Sequence, residues 1–127
     1  MNMLNNFDRN VLSLAYIGDG IYELIVRDYL LSLGNFKVND LQHMAIKYVS
    51  ASAQREILER IMSANILDEK EQEIVLRARN HKGSRHPKNS DIITYKYATA
   101  LEALFGYLYL EKNFERIEIL KKYVIGE

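Results

Sequence analysis

Apolar side chains at Leu14, Ile17, Ile21, Leu24, Ile25 and Leu33 recur at helical spacing, and this stretch constrains the fold more than any other. The spacing predicts a long helix with one broad face in a core and a central place in the fold. Gly18 and Gly20 interrupt the pattern, although glycine costs about 1 kcal/mol relative to alanine inside a helix. Close approach of another backbone is the physical reason to keep glycine there. Between them stands Asp19, whose neighbours are otherwise apolar or aromatic. A carboxylate in that setting requires a partner, a metal or water, so Asp19 is the first candidate functional residue.

The remaining stretches repeat the helical period. Asp8 is placed to cap a short first helix, and Val11, Leu12 and Leu14 carry its stripe onward. The long helix ends at Gly34-Asn35. Asn39 or Asp40 caps the next, with Leu41, Met44, Ala45, Tyr48 and Val49 along one face. Residues 50–53 are small enough for another helix to pack closely, and Ile57, Leu58, Ile61 and Met62 continue a stripe to Asn65. Asp68 opens a helix whose acidic first turn suits the helix dipole, completed by Ile74, Val75 and Ala78. Period-2 alternation is missing over strand lengths and Pro87 is the single proline, which makes an all-α bundle the expected fold class.

A second strongly patterned helix starts near Asp91 and runs through Tyr95, Tyr97, Ala98, Leu101, Leu104, Phe105, Leu108 and Tyr109. Glu102 lies inside it, Thr99 stands one turn earlier, and Gly106 again indicates close packing. If the glycine-bearing surfaces of the two helices meet, Asp19 and Glu102 converge into a hard-oxygen site suited to Mg²⁺. Otherwise each carboxylate is separately paired, with Arg9, Arg27 and Lys96 available.

Residues 77–90 hold five basic side chains and no acidic one, in a chain whose 17 basic and 17 acidic residues otherwise cancel. One reading is a solvated connection. The other is a phosphate-contacting loop in which Lys82, Arg85 and Lys88 neutralise charge while Asn89 and Ser90 donate hydrogen bonds. His81 and His86 lack the helical spacing of a metal chelate. The chain has no cysteine, which excludes disulfides and thiolate metal sites. Its 127 residues suit one domain, spanning 1–127. No apolar run reaches the ~20 residues a membrane span needs, and residues 1–6 lack a signal-peptide layout. A cytoplasmic domain is expected.

The stretch Leu14-Ala15-Tyr16-Ile17-Gly18-Asp19-Gly20 resembles the signature helix of ribonuclease III, and residues 98–110 resemble its second acidic helix. Order, separation and surrounding hydrophobics agree over nearly the whole chain, and the nearest match is the bacterial Mini-ribonuclease III family, a catalytic domain without a double-stranded-RNA-binding domain. The resemblance implies a ribonuclease III-like helical endonuclease that acts as a homodimer on double-stranded RNA. It also implies Mg²⁺-dependent phosphodiester hydrolysis leaving 5′-phosphate and 3′-hydroxyl ends, and trimming of 23S ribosomal RNA precursor ends. Asp19 and Glu102 are then the catalytic and metal-holding residues. Tyr16 aligns with the aromatic residue that ribonuclease III inserts into its partner subunit, the alternative being that it packs in its own core.

Ala15 and Thr99 stand where ribonuclease III carries two further carboxylates, a reduction that Mini-ribonuclease III shares. Water then completes more of the Mg²⁺ shell. Glu23, one turn after Asp19, either holds a water of that shell or pairs with Arg27 at the i,i+4 spacing, the reading favoured here. The alternative function, consistent with the lost carboxylates, is a non-catalytic RNA-binding or ribosome-associated protein.

Overall fold

The computed structural model describes residues 5–82 and 91–126, and the described residues are helical with no strand. After a 3-10 turn at Asn6–Asp8 come α1 (Val11–Ser32), α2 (Val38–Val49), α3 (Ala51–Ser63), α4 (Glu69–Arg79), α5 (Ile92–Leu110) and α6 (Phe114–Ile125). Helix α1 is capped by Asn10, whose side chain accepts from the Leu12 N–H, and not by Asp8. Lys37, which offers no side-chain cap, precedes α2, so Asn39 and Asp40 fall inside its first turn. The stripe expected to pass through residues 50–53 is broken at Ser50, which ends α2 and caps α3 by accepting from the Ala53 N–H. Asp68 and Glu71 form the reciprocal capping box of α4. Helix α6, which the apolar pattern did not single out, is capped by Asn113 and closed by Gly126 in the left-handed conformation.

The central helix is α5, not α1. Every residue from 98 to 108 except Glu102 is buried, because α1, α3, α4 and α6 all pack around this helix. Its sequence is apolar on nearly all sides, as a surrounded helix must be. Helix α1 covers one flank of it, with Tyr22 and Phe105 meeting edge to face at 5.8 Å between ring centres.

The buried line of α1 runs through Val11, Leu14, Ala15, Gly18, Tyr22, Val26 and Leu30. Of the face expected from the apolar spacing, only Leu14 is buried; Ile17, Ile21 and Ile25 are half-buried, and Leu24 and Leu33 are exposed. Close packing selected the line containing Gly18 over the line richest in large apolar groups. Among the described residues no helix is long and apolar enough to cross a membrane.

One buried carboxylate serves the fold alone. Glu71 is 1% exposed and takes a bidentate pair of hydrogen bonds from Arg116, at 2.6 and 2.9 Å. Arg116 also donates to the Ile66 carbonyl, which ties α6 to the start of α4.

Candidate functional site

Two glycines let the backbones of α1 and α5 touch. A Cβ on Gly18 would lie 1.6 Å from the Glu102 carbonyl oxygen, and one on Gly106 would lie 1.9 Å from the Leu14 carbonyl oxygen. No real side-chain carbon tolerates either approach. The close approach expected at Gly18 and Gly106 is therefore present. At Gly20 it is not: that residue is exposed, with nothing within 4 Å of the place a Cβ would take.

This contact brings together carboxylates far apart in the chain. Asp19 follows Gly18 directly, and its side chain lies within hydrogen-bonding reach of Glu102. Asp19 is exposed and Glu102 half-buried, so the pair has one wet and one sheltered member. Burial pushes the Glu102 carboxyl up to about 8, with the Asp19 contact and its charge adding to the rise and Glu23 contributing a smaller push. Burial, followed by the charge of Glu102, also raises the Tyr22 hydroxyl, which donates to the Tyr48 carbonyl. Among the described residues no Lys or Arg forms an ion pair with Asp19 or Glu102. Arg27 instead pairs with Glu23 at 3.3 Å, as the i,i+4 spacing favoured, and Arg9 donates to Asn6.

The two positions where ribonuclease III carries further carboxylates are turned inward. Ala15 is buried, and the Thr99 hydroxyl donates to the Tyr95 carbonyl of its own helix at 3.0 Å. Neither adds a ligand.

A third polar group, missed by the sequence reading, stands beside the pair. Gln54 of α3 is 5% exposed, donates from Nε2 to the Val49 carbonyl at 3.0 Å, and sits close enough to Glu102 that its amide favours the charged carboxylate. Its Oε1 has no hydrogen-bond partner. An unpaired buried amide oxygen costs about 1–3 kcal/mol. The available signal was a lone polar residue in line with the apolar stripe Ile57, Leu58 and Ile61.

Two carboxylates and an orphaned amide oxygen are hard oxygen donors, the class that Mg²⁺ takes, so the residues fit such a cation. Among the described residues no cluster of three or more His, Cys, Asp or Glu could hold a metal. A cation here would rest on two carboxylates and complete its shell with water. A shallow recess lined by Asp19, Gly20, Glu23, Leu24 and Arg27 lies on the Asp19 side of the pair.

The other expected site residues are separate. Tyr16 is 86% exposed, which excludes packing in its own core. Leu12, Tyr16, Gly20 and Leu24 follow one another every four residues, forming an exposed strip beside Asp19. Lys82 is exposed just beyond the end of α4, whereas Arg85 and Lys88, with His86, Asn89 and Ser90, lie outside the described residues. Arg77, counted with the basic loop, is committed elsewhere. It donates to the Phe7 and Arg9 carbonyls and stacks on the Phe7 ring, anchoring the N-terminal turn.

Residues 12–113 match the Ribonuclease III domain family. The Mini-ribonuclease 3 of Enterococcus faecalis is 46% identical, over 91% of this chain and 88% of that protein. The Mini-ribonuclease 3 of Symbiobacterium thermophilum is also 46% identical, over 95% of this chain and 92% of that protein. Among solved structures, a Fusobacterium nucleatum protein superimposes with a TM-score of 0.81 at 38% identity, covering 94% of this chain and 96% of that one. Helical fold, matched domain and relatives agree: the chain belongs to the Mini-ribonuclease III family and is a ribonuclease III-type endoribonuclease.

Proposed function

We propose that this chain, working as one domain over residues 1–127, is a cytoplasmic Mg²⁺-dependent endoribonuclease that cuts double-stranded RNA as a homodimer. Its substrate is the precursor of 23S ribosomal RNA, whose ends it matures. The observation that carries the reading is the meeting of Asp19 and Glu102, from helices at opposite ends of the chain, beside a surface recess and with no basic partner among the described residues.

Asp19 and Glu102 are the catalytic pair and would hold the cation. Glu102, sheltered and steadied through the α1–α5 backbone contact, fixes the position; Asp19, exposed, faces the approaching phosphate. Bound there, Mg²⁺ supplies a lowered pKa for water and neutralisation of charge on the phosphate. Burial, reinforced by the neighbouring Asp19 carboxylate, is the reason Glu102 keeps a proton near neutral pH in the metal-free protein. Hydrolysis leaves 5′-phosphate and 3′-hydroxyl ends, one strand per subunit. Tyr16 makes the contact between subunits, and Lys82, Arg85 and Lys88 contact phosphates. A-form RNA hides its base edges in a deep major groove, so recognition is by shape and backbone.

The test is cleavage of a long RNA duplex with Mg²⁺ and with EDTA by wild type, Asp19→Asn and Glu102→Gln. Each variant removes an anionic oxygen at nearly constant shape, and each is expected to lose cleavage while keeping its helical circular dichroism. Wild-type rates in both variants, or undiminished cutting in EDTA, would refute the assignment.

A further inference from the structure

We propose that Gln54 is a positioning residue of the site: its amide nitrogen steadies Glu102, and its amide oxygen accepts a hydrogen bond from water in the shell of the cation. This rests on the reading of Asp19 and Glu102 as the cation-holding pair. Two observations carry it. The first is that Gln54 Oε1 is the one buried side-chain nitrogen or oxygen among the described residues without a partner. Glu71, equally withdrawn from solvent, is by contrast bonded on both oxygens.

The second is orientation. Turning the amide over would set Oε1 against the Val49 carbonyl and beside the Glu102 carboxylate, acceptor against acceptor, so the nitrogen must face them. The oxygen is left to seek a donor next to the carboxylate pair. Water is the donor small enough to enter, and water polarised by a divalent cation donates more strongly than free water. A neutral amide accepts that bond without adding a third negative charge to a pair that already resists ionisation. Such outer-shell partners orient ligands and tune affinity.

The test measures Mn²⁺ binding by electron paramagnetic resonance, and the Mn²⁺-induced rise in thermal midpoint, in the full chain without RNA. Gln54→Met keeps the length and removes the polar atoms; it should bind Mn²⁺ about tenfold more weakly or worse. Gln54→Glu keeps the oxygens but loses the N–H that faces the Val49 carbonyl and Glu102; it too should bind Mn²⁺ more weakly than wild type, with a smaller rise in midpoint. A residue that merely braced α3 would lower the metal-free midpoint in both variants and leave Mn²⁺ affinity unchanged, and that result overturns the inference. If Gln54→Met does not fold, Gln54→Glu decides, a midpoint rise equal to wild type being the overturning result. Asp19→Asn serves as the control. Wild-type Mn²⁺ binding in that variant defeats the cation-site reading itself, whereas its loss alongside wild-type binding in both Gln54 variants defeats the Gln54 inference alone.

Discussion

The Cβ that Gly18 lacks would stand 1.6 Å from the carbonyl oxygen of Glu102, so the site's two carboxylates are neighbours because two backbones touch. Gly18→Ala must push α1 from α5 or unwind one of them. Overpacking typically costs about 1–3 kcal/mol, and a clash with backbone belongs at or above the top of that range. Gly20→Ala, with open space around it, should instead stabilise by up to about 1 kcal/mol through helix propensity. Urea unfolding of the two variants makes the comparison, and equal tolerance at both positions would contradict the packing described.

That pair of glycines also marks how far sequence reasoning reached. Both carry the same propensity cost, so both suggested a close neighbour, and only the tertiary arrangement separates the buried Gly18 from the exposed Gly20. Asp19 and Glu102 were recognisable because charge inside an apolar helical pattern demands an explanation. Helix α5 was readable from Asp91 onward, but its central place was not. Periodicity ranks Leu24 above Tyr22, whereas close approach at Gly18 chose the line containing Tyr22, leaving Leu24 64% exposed. Gln54 escaped because one amide in an apolar stripe looks like an ordinary helix-surface residue until its burial is known. The Glu71–Arg116 pair joins residues with no local pattern linking them.

At the proposed cation site, the raised Glu102 carboxyl would make metal binding compete with a proton. Its native pKa of about 8 lies above the ordinary 4.5, so the native state holds this proton more tightly than the unfolded chain does. The resulting stabilisation is fully present below the unfolded value and is lost as pH rises through the native one. Metal-free wild type should therefore lose stability between about pH 5 and 9 relative to Glu102→Gln, which carries no titrating group there. Mn²⁺ affinity should climb by up to about tenfold per pH unit until near pH 8 and then level off, since ligands must shed their protons. Calorimetry in buffers of different ionisation enthalpy would detect the released proton. A pH-independent affinity would contradict the raised carboxyl.

Tyr16 leaves 86% of its surface in water in the single chain, on a strip with Leu12 and Leu24. An aromatic ring so placed is a strong candidate anchor for a second copy, and a two-fold axis would use it twice. Tyr16→Asp buries a charge in that contact and should weaken dimerisation by about 30-fold or more, the equivalent of a ~2 kcal/mol anchor. Sedimentation equilibrium at micromolar concentration reads the change. A wild-type protein that sediments as monomer there would remove the dimer from the proposal.

The basic segment that begins in the last turn of α4 includes a cation that holds the fold, Arg77, and others proposed to meet RNA. The Arg77 guanidinium donates to the Phe7 and Arg9 carbonyls. Arg77→Ala should lower the thermal midpoint and leave the salt dependence of RNA binding almost unchanged. Lys82, exposed beyond the helix end, is proposed with Arg85 and Lys88 to contact RNA phosphates. Each phosphate contact releases counterions, so log affinity falls with log salt by about 0.7 to 0.9 per contact. Replacing all three with alanine should therefore flatten the slope by about 2 to 3 and weaken binding at low salt, with little change in thermal midpoint. Single-turnover cleavage at saturating RNA should change less than affinity, because these side chains are proposed to position the duplex and Asp19 and Glu102 to act on the phosphate. A triple variant that keeps both wild-type affinity and salt slope would make the segment a solvated connection and place RNA on another surface.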